Sequence, residues 1–144
     1  MPLKTIMIVE DNAVTADILD RVLSSKGYQV VKAETAEQAL RSMRSISPSV
    51  FVLDINLPGS NGIVLCHHIR ANLRKSIPII FLTSSTERDV LHACFEAGGD
   101  DYILKTAGPE EILKRIQYWA EESINLDLAE TRQEKLAKLK EADS

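Results

Sequence analysis

Five short β-rich runs recur along the chain, at Thr5–Glu10, Tyr28–Ala33, Ser49–Ile55, Pro78–Thr83 and Asp101–Lys105. Two of them, Val50-Phe51-Val52-Leu53 and Ile79-Ile80-Phe81-Leu82, are apolar without a break. A strand with one wet face alternates between apolar and polar. An unbroken run predicts a strand buried on both faces, as in a parallel sheet. Between the runs the period becomes helical. Val14, Ile18, Leu19, Val22 and Leu23 form a stripe ending near Gly27. Thr35-Ala36-Glu37-Gln38 has the spacing of a capping box, followed by Ala39, Leu40 and Met43. Gly62 leads into Ile63, Leu65, Cys66 and Ile69. Thr86-Glu87-Arg88-Asp89 has the look of a helix N-terminus before Val90, Leu91, Cys94 and Phe95, and Gly98 is placed to end that helix. Pro109-Glu110-Glu111 opens a fifth helix with proline and two acids in its first turn. The pattern is β-α repeated five times, which predicts an α/β domain with helices on both faces of a parallel sheet.

Beyond about residue 123 the character changes, which divides the chain into a domain over 1–122 and a charged, helical extension or linker over 123–144. Leu128, Arg132, Leu136 and Leu139 fall on one face of that extension. The plain reading is a solvated charged helix or linker. The other is a connector to an output module or a short association surface, too short for a coiled coil.

Composition narrows the function. A chain of 144 residues with 44% hydrophobic content suits one domain with its own core. The formal net charge is −4. Residues 120–144 carry seven acids and four bases, so −3 of it sits in the tail. A nearly neutral body with an acidic tail argues against direct binding of nucleic acid or of an anionic membrane. Ile6-Met7-Ile8-Val9 is stopped by Glu10-Asp11, too soon for a signal peptide. No run approaches the roughly 18 apolar residues of a membrane span. Cys66 and Cys94 lie far apart without CxxC spacing and read as buried thiols in a reducing, cytoplasmic setting. His67, His68 and His92 lack metal-ligand spacing and read as surface or packing residues.

In open α/β sheets, sites form outside the C-terminal ends of the strands. The first strand ends in Glu10-Asp11, the third in Asp54, the fourth in Thr83 and the fifth in Lys105. Crowded carboxylates repel one another and suit a hard divalent cation such as Mg²⁺. Threonine and lysine beside them can hold phosphoryl oxygens. An aspartate can itself accept a phosphoryl group, and Asp54, alone at the end of an apolar central strand, is the candidate. Asp11 or Asn12 could instead simply cap the first helix.

Val9-Glu10-Asp11-Asn12, Leu53-Asp54-Ile55-Asn56-Leu57-Pro58-Gly59 with Gly62, Leu82-Thr83-Ser84 and Ala97-Gly98-Gly99-Asp100-Asp101-Tyr102 with Lys105 together resemble the receiver domain of two-component response regulators. The resemblance covers roughly residues 3–120. It implies a doubly wound, flavodoxin-like five-stranded sheet of order 2-1-3-4-5. It implies that Asp54 accepts a phosphoryl group from a histidine kinase or phosphotransfer protein. Asp11 would then ligate Mg²⁺ directly, Glu10 mainly through water, and the Asn56 backbone carbonyl would add another ligand. Thr83 and Lys105 would contact the phosphoryl group, and Tyr102 would act as the switch. The surface of the fourth helix, fifth strand and fifth helix would pass the signal to a downstream protein or output domain, and could serve a homodimer. Such a protein is a signalling switch, not a turnover enzyme, with at most weak hydrolysis of its own aspartyl phosphate.

Two positions depart from the family pattern. Lys105 is followed by Thr106 where receivers usually carry proline, often after a cis bond. A cis bond before a non-proline costs about 3–4 kcal/mol, so this loop is expected either trans and rearranged or strained, and phosphorylation slower. Gly99 stands where alanine is common, which reads as a small change. The competing readings are a pseudo-receiver that binds partners without phosphate, and an enzyme. An aspartyl phosphatase would place a second acid where this chain has Asn56, and a flavin site would want a phosphate-cradling loop where it has Glu10-Asp11.

Overall fold

The computed structural model describes residues 4–72, 77–122 and 127–143. All five β-rich runs form strands of one parallel sheet: β1 (Thr5–Val9), β2 (Gln29–Ala33), β3 (Val50–Asp54), β6 (Ile79–Thr83) and β7 (Asp101–Leu104). The order is β2-β1-β3-β6-β7, which is 2-1-3-4-5 when the five runs are numbered in sequence. β3 and β6 are buried along their whole length, which is why their sequences do not alternate.

Alternation appears instead in which layer each residue joins. Ile6, Ile8, Val52 and Leu82 pack with Leu19 and Leu23 of α1 (Ala13–Ser24) and Ile112 and Ile116 of α5 (Pro109–Gln117). Met7, Phe51, Leu53 and Phe81 pack with α2 (Ala36–Ser42), α3 (Gly62–Asn72) and α4 (Arg88–Glu96) on the opposite face. The expected stripe on α1 divides: Leu19 and Leu23 are buried, but Val14 and Ile18 point outward, 68% and 41% exposed.

The helix ends show what each polar residue does. Asn12 caps α1, its Oδ1 accepting from the Thr15 amide at 3.0 Å. Thr35 caps α2 by accepting from the Gln38 amide, and Gln38 accepts in return from the amide of Glu34. α4 differs from expectation, because Glu87 stands at its cap and makes no side-chain capping bond. Gly98 ends α4 at φ +107°, as a left-handed C-terminal glycine should.

Two features lie beyond the sequence pattern. Directly after β3, β4 (Asn56–Leu57) and β5 (Ser60–Asn61) make a small antiparallel hairpin around Pro58-Gly59. The tail is also not a solvated strut. α6 (Leu128–Asp143) packs against α4, with Leu128 and Arg132 buried. The boundary expected at 122/123 borders residues 123–126, which lie outside the described residues.

Candidate functional site

Strand order reverses between β1 and β3, because the chain moves outward to β2 on one side and to β6 and β7 on the other. A crevice at that switch point is where open α/β sheets place their ligands. Glu10 and Asp11 follow β1, Asp54 ends β3, Thr83 ends β6 and Lys105 follows β7. One carboxylate oxygen from each of Glu10, Asp11 and Asp54 lies within 4.8 Å of the others. Glu10 and Asp54 are buried and Asp11 is exposed, so the cluster opens to solvent on one side. Since Asn12 does the capping, the Asp11 carboxylate is left to this pocket.

Lys105 spans the two buried acids, its Nζ donating to Glu10 Oε1 at 2.8 Å and to Asp54 Oδ2 at 2.9 Å. The Asn56 amide donates to Asp54 Oδ1 at 3.1 Å. Burial opposes the charge on Lys105, but these two carboxylate bonds outweigh it and hold the amine above its ordinary range. Glu10 moves the other way from most paired acids. Burial, then the neighbouring Asp54 carboxyl, push it up to about 7 despite Lys105. Its Oε2 is buried with no hydrogen-bond partner. An excess of crowded oxygen donors, one of them orphaned, is what a hard cation relieves, and the three acids fit Mg²⁺.

Local backbone keeps this pocket tight. A Cβ on Gly62 would lie 2.2 Å from the Asp54 carbonyl oxygen, and the Gly62 amide donates to Ile55 O at 2.8 Å. Gly62 is therefore required by close approach to the strand that carries Asp54, rather than for the loop freedom its type suggests. Gly59 does supply a left-handed turn residue, at φ +70° in the β4–β5 hairpin. The Lys105–Thr106 bond is trans, and the chain leaves β7 through a 3₁₀ turn over Lys105–Ala107. Gly99 is not a small change in this chain. A Cβ there would meet Phe81 Cε2 at 2.7 Å and the Cys94 carbonyl oxygen at 2.9 Å.

The Thr83 hydroxyl, almost fully buried, accepts from the Ser85 amide at 3.1 Å. Tyr102 packs its ring on the α2–α4 layer and donates its hydroxyl to the Ser85 carbonyl. Its hydroxyl is held above the ordinary tyrosine range, chiefly by burial. Thr83 and Tyr102 thus meet on the same short loop. Cys66 and Cys94 are buried free thiols, each pushed up to about 12 by burial.

The sequence reading left one charged cluster unnoticed. Asp100 is wholly buried at the opposite, N-terminal edge of the sheet. It accepts from the Ile79 amide at 2.9 Å, Arg70 Nη2 at 2.8 Å and Arg132 Nε at 2.7 Å. Beside it, Asp101 accepts from Arg115 Nε at 2.9 Å and Trp119 Nε1 at 2.8 Å. The one available signal was an arginine set among leucines on the tail's apolar stripe.

An open doubly wound sheet with an acid cluster, a lysine and a threonine at its switch point defines the class. The chain matches the response regulator receiver domain family over residues 6–117, and it belongs to that family. It is 36% identical over 112 residues to the DNA-binding response regulator MtrA of Mycobacterium tuberculosis H37Rv, covering 78% of this chain and 48% of that protein. It is 37% identical over 115 residues to the phosphate regulon transcriptional regulatory protein PhoB of Pseudomonas aeruginosa, covering 79% and 50%. The chain therefore spans about half the length of these curated relatives. A CheY-like response regulator receiver domain protein from Methanospirillum hungatei superposes with a TM-score of 0.76 at 28% identity, covering 92% of this chain and 99% of that one. Receiver domains are the signalling switches of two-component systems and bind Mg²⁺ at an acidic pocket. No helix among the described residues is long and apolar enough to cross a membrane.

Proposed function

We propose that this chain accepts a phosphoryl group on Asp54 from a phosphohistidine of a histidine kinase or phosphotransfer protein. An Asp54 carboxylate oxygen attacks phosphorus, an O–P bond forms, the N–P bond to histidine breaks, and the nitrogen leaves with the electron pair. The observation that carries this reading is the Asp54 carboxylate at the switch point, within 4.8 Å of two further acids and bridged by Lys105. Glu10, Asp11, Asp54 and the Asn56 carbonyl would hold Mg²⁺, which supplies positive charge to the transferring phosphoryl oxygens. Lys105 is positioned to pair with one of those oxygens once Asp54 is modified. Thr83 gives up its bond to the Ser85 amide to reach another, and Tyr102, which shares that loop, registers the change. The outward Val14 and Ile18 on α1, about one and two turns beyond Asp11, give the donor protein an apolar landing along the helix that starts at the pocket.

The signal leaves by the α4–β7–α5 face. A concavity of about 390 Å³ remains open there, lined by Thr86, Tyr102, Leu104, Glu111 and Arg115 among others, so Tyr102 itself borders it. A downstream protein or output domain is the reader. Incubating the chain with acetyl phosphate and Mg²⁺ tests the reading: intact mass should rise by one phosphoryl group. The gain should disappear with chelator or in Asp54→Asn. A gain that persists in Asp54→Asn would overturn it.

A further inference from the structure

We propose that α6 is a brace across the lower half of the α4–β7–α5 face, and that its docking and phosphorylation of Asp54 oppose one another. Three contacts of one lysine carry this. Lys135 Nζ lies 4.7 Å from the centroid of the Trp119 ring, which follows α5, and 5.6 Å from that of Phe95 on α4. It also donates to the Asp100 carbonyl at the start of β7. One ammonium group thus ties together the three elements that form the face. One turn earlier, Arg132 is buried and bonds both oxygens of Asp100, at 2.7 and 3.1 Å. Leu128 anchors the start of the helix in the layer that contains Trp119.

The brace reaches towards the site through bonded neighbours. Trp119 and Arg115 hold the Asp101 carboxylate, Asp101 Oδ1 accepts from the Tyr102 amide, and the Tyr102 hydroxyl binds the loop that follows Thr83. Any shift of α4 against β7 and α5 must stretch the contacts that converge on Lys135. A helix that favours one relative placement of these elements therefore works against a modification that favours another. Coupling of this kind is reciprocal: what loosens α6 must strengthen the phosphorylated arrangement by the same factor. A partner that needs the whole face would also have to displace α6, while the concavity near Tyr102 stays open.

The proposal rests on Asp54 being the phosphoacceptor. Its test uses beryllofluoride with Mg²⁺, which mimics a phosphoryl group on a carboxylate, and the whole chain. Arg132→Met leaves Asp100 with Arg70, and Lys135→Met spares the Asp100 carboxylate altogether, so at least one folded variant is expected. Hydrogen exchange over 128–143 reports docking, and Trp119, the chain's single tryptophan, reports the Lys135 contact by fluorescence. The variants should lose protection in α6 and bind beryllofluoride at least about fivefold more tightly. Saturating the unaltered chain with beryllofluoride should move Trp119 emission towards that of Lys135→Met. Unchanged or weaker binding in a folded variant with an exposed α6 would overturn the brace alone. No binding by any of the proteins would overturn the phosphoacceptor reading and the brace with it.

Discussion

Asp11 and Asn12 stand side by side at the start of α1 and divide the work between them. Asn12 satisfies an orphan amide of the helix, and Asp11 faces the acid pocket. Exchanging either for alanine should therefore separate stability from metal binding. Asn12→Ala should cost about 1 kcal/mol in urea denaturation and leave Mg²⁺ affinity unchanged. Asp11→Ala should leave stability nearly as it was, or raise it by relieving repulsion, and weaken Mg²⁺ binding at least about tenfold, read by titration calorimetry. Gly62 acts at the same scale, through space rather than chemistry. Gly62→Ala drives a methyl into the Asp54 carbonyl and should cost about 1–3 kcal/mol in the same denaturation experiment. Glu10 adds a pH dependence of unusual sign. Its folded pKa of about 7 lies above its ordinary value of 4.5. Its contribution to the stability of the metal-free chain is therefore fully present below pH 4.5 and is lost as pH rises through about 7. Thermal melts in chelator should show Tm falling across that upper range, and Glu10→Gln should flatten the fall.

Among the elements, β3 and β6 were legible because burial on both faces leaves an unbroken apolar run, a signal stronger than alternation, while the partly buried edge strands β2 and β7 were legible by their place between helical stretches. The β4–β5 hairpin was legible only as a turn at Pro58-Gly59, since strands of two residues carry no period. On α1 the apolar residues overstate the core: Val14 and Ile18 obey helical spacing yet face outward. The placement of α6 was hidden for a different reason. Arg132 on a leucine stripe reads as a solvated charge until Asp100, 32 residues away, is seen to be buried with room for its guanidinium. Long-range pairs of this kind leave no mark on local periodicity. Asp101 belongs to the same region. Burial alone would raise it, but bonds from Arg115, Trp119 and the Tyr102 amide outweigh that and hold it below the usual carboxylate range. An acid so depressed adds stability that is present above its unfolded pKa and lost as pH falls through the folded one. Asp101→Asn should accordingly destabilise the chain at neutral pH, by about 1–3 kcal/mol, and much less once pH drops below the folded value. Denaturation at two pH values would show the difference.

For the molecule as a whole, the pocket was legible in the sequence because a parallel α/β sheet brings every strand's C-terminal end to one edge. Residues as distant as Glu10, Asp54 and Lys105 become neighbours by topology, before any side-chain geometry is known. What topology could not supply was the state of the groups: the bridge made by Lys105, the orphaned Glu10 oxygen, and the inward Tyr102 on its loop. The mild acidity of the chain likewise has two sources with separate physics. One is the acid cluster at the switch point, and the other is a tail helix of which Arg132 and Lys135 turn inward onto Asp100. Asp54 is the proposed phosphoacceptor. Its most direct test is to phosphorylate the chain with acetyl phosphate and Mg²⁺, reduce it with borohydride, and sequence the peptides by mass spectrometry. Borohydride converts an aspartyl phosphate to homoserine. Homoserine is expected at position 54. Homoserine at another acid, or a phosphoryl adduct that resists borohydride, would contradict it.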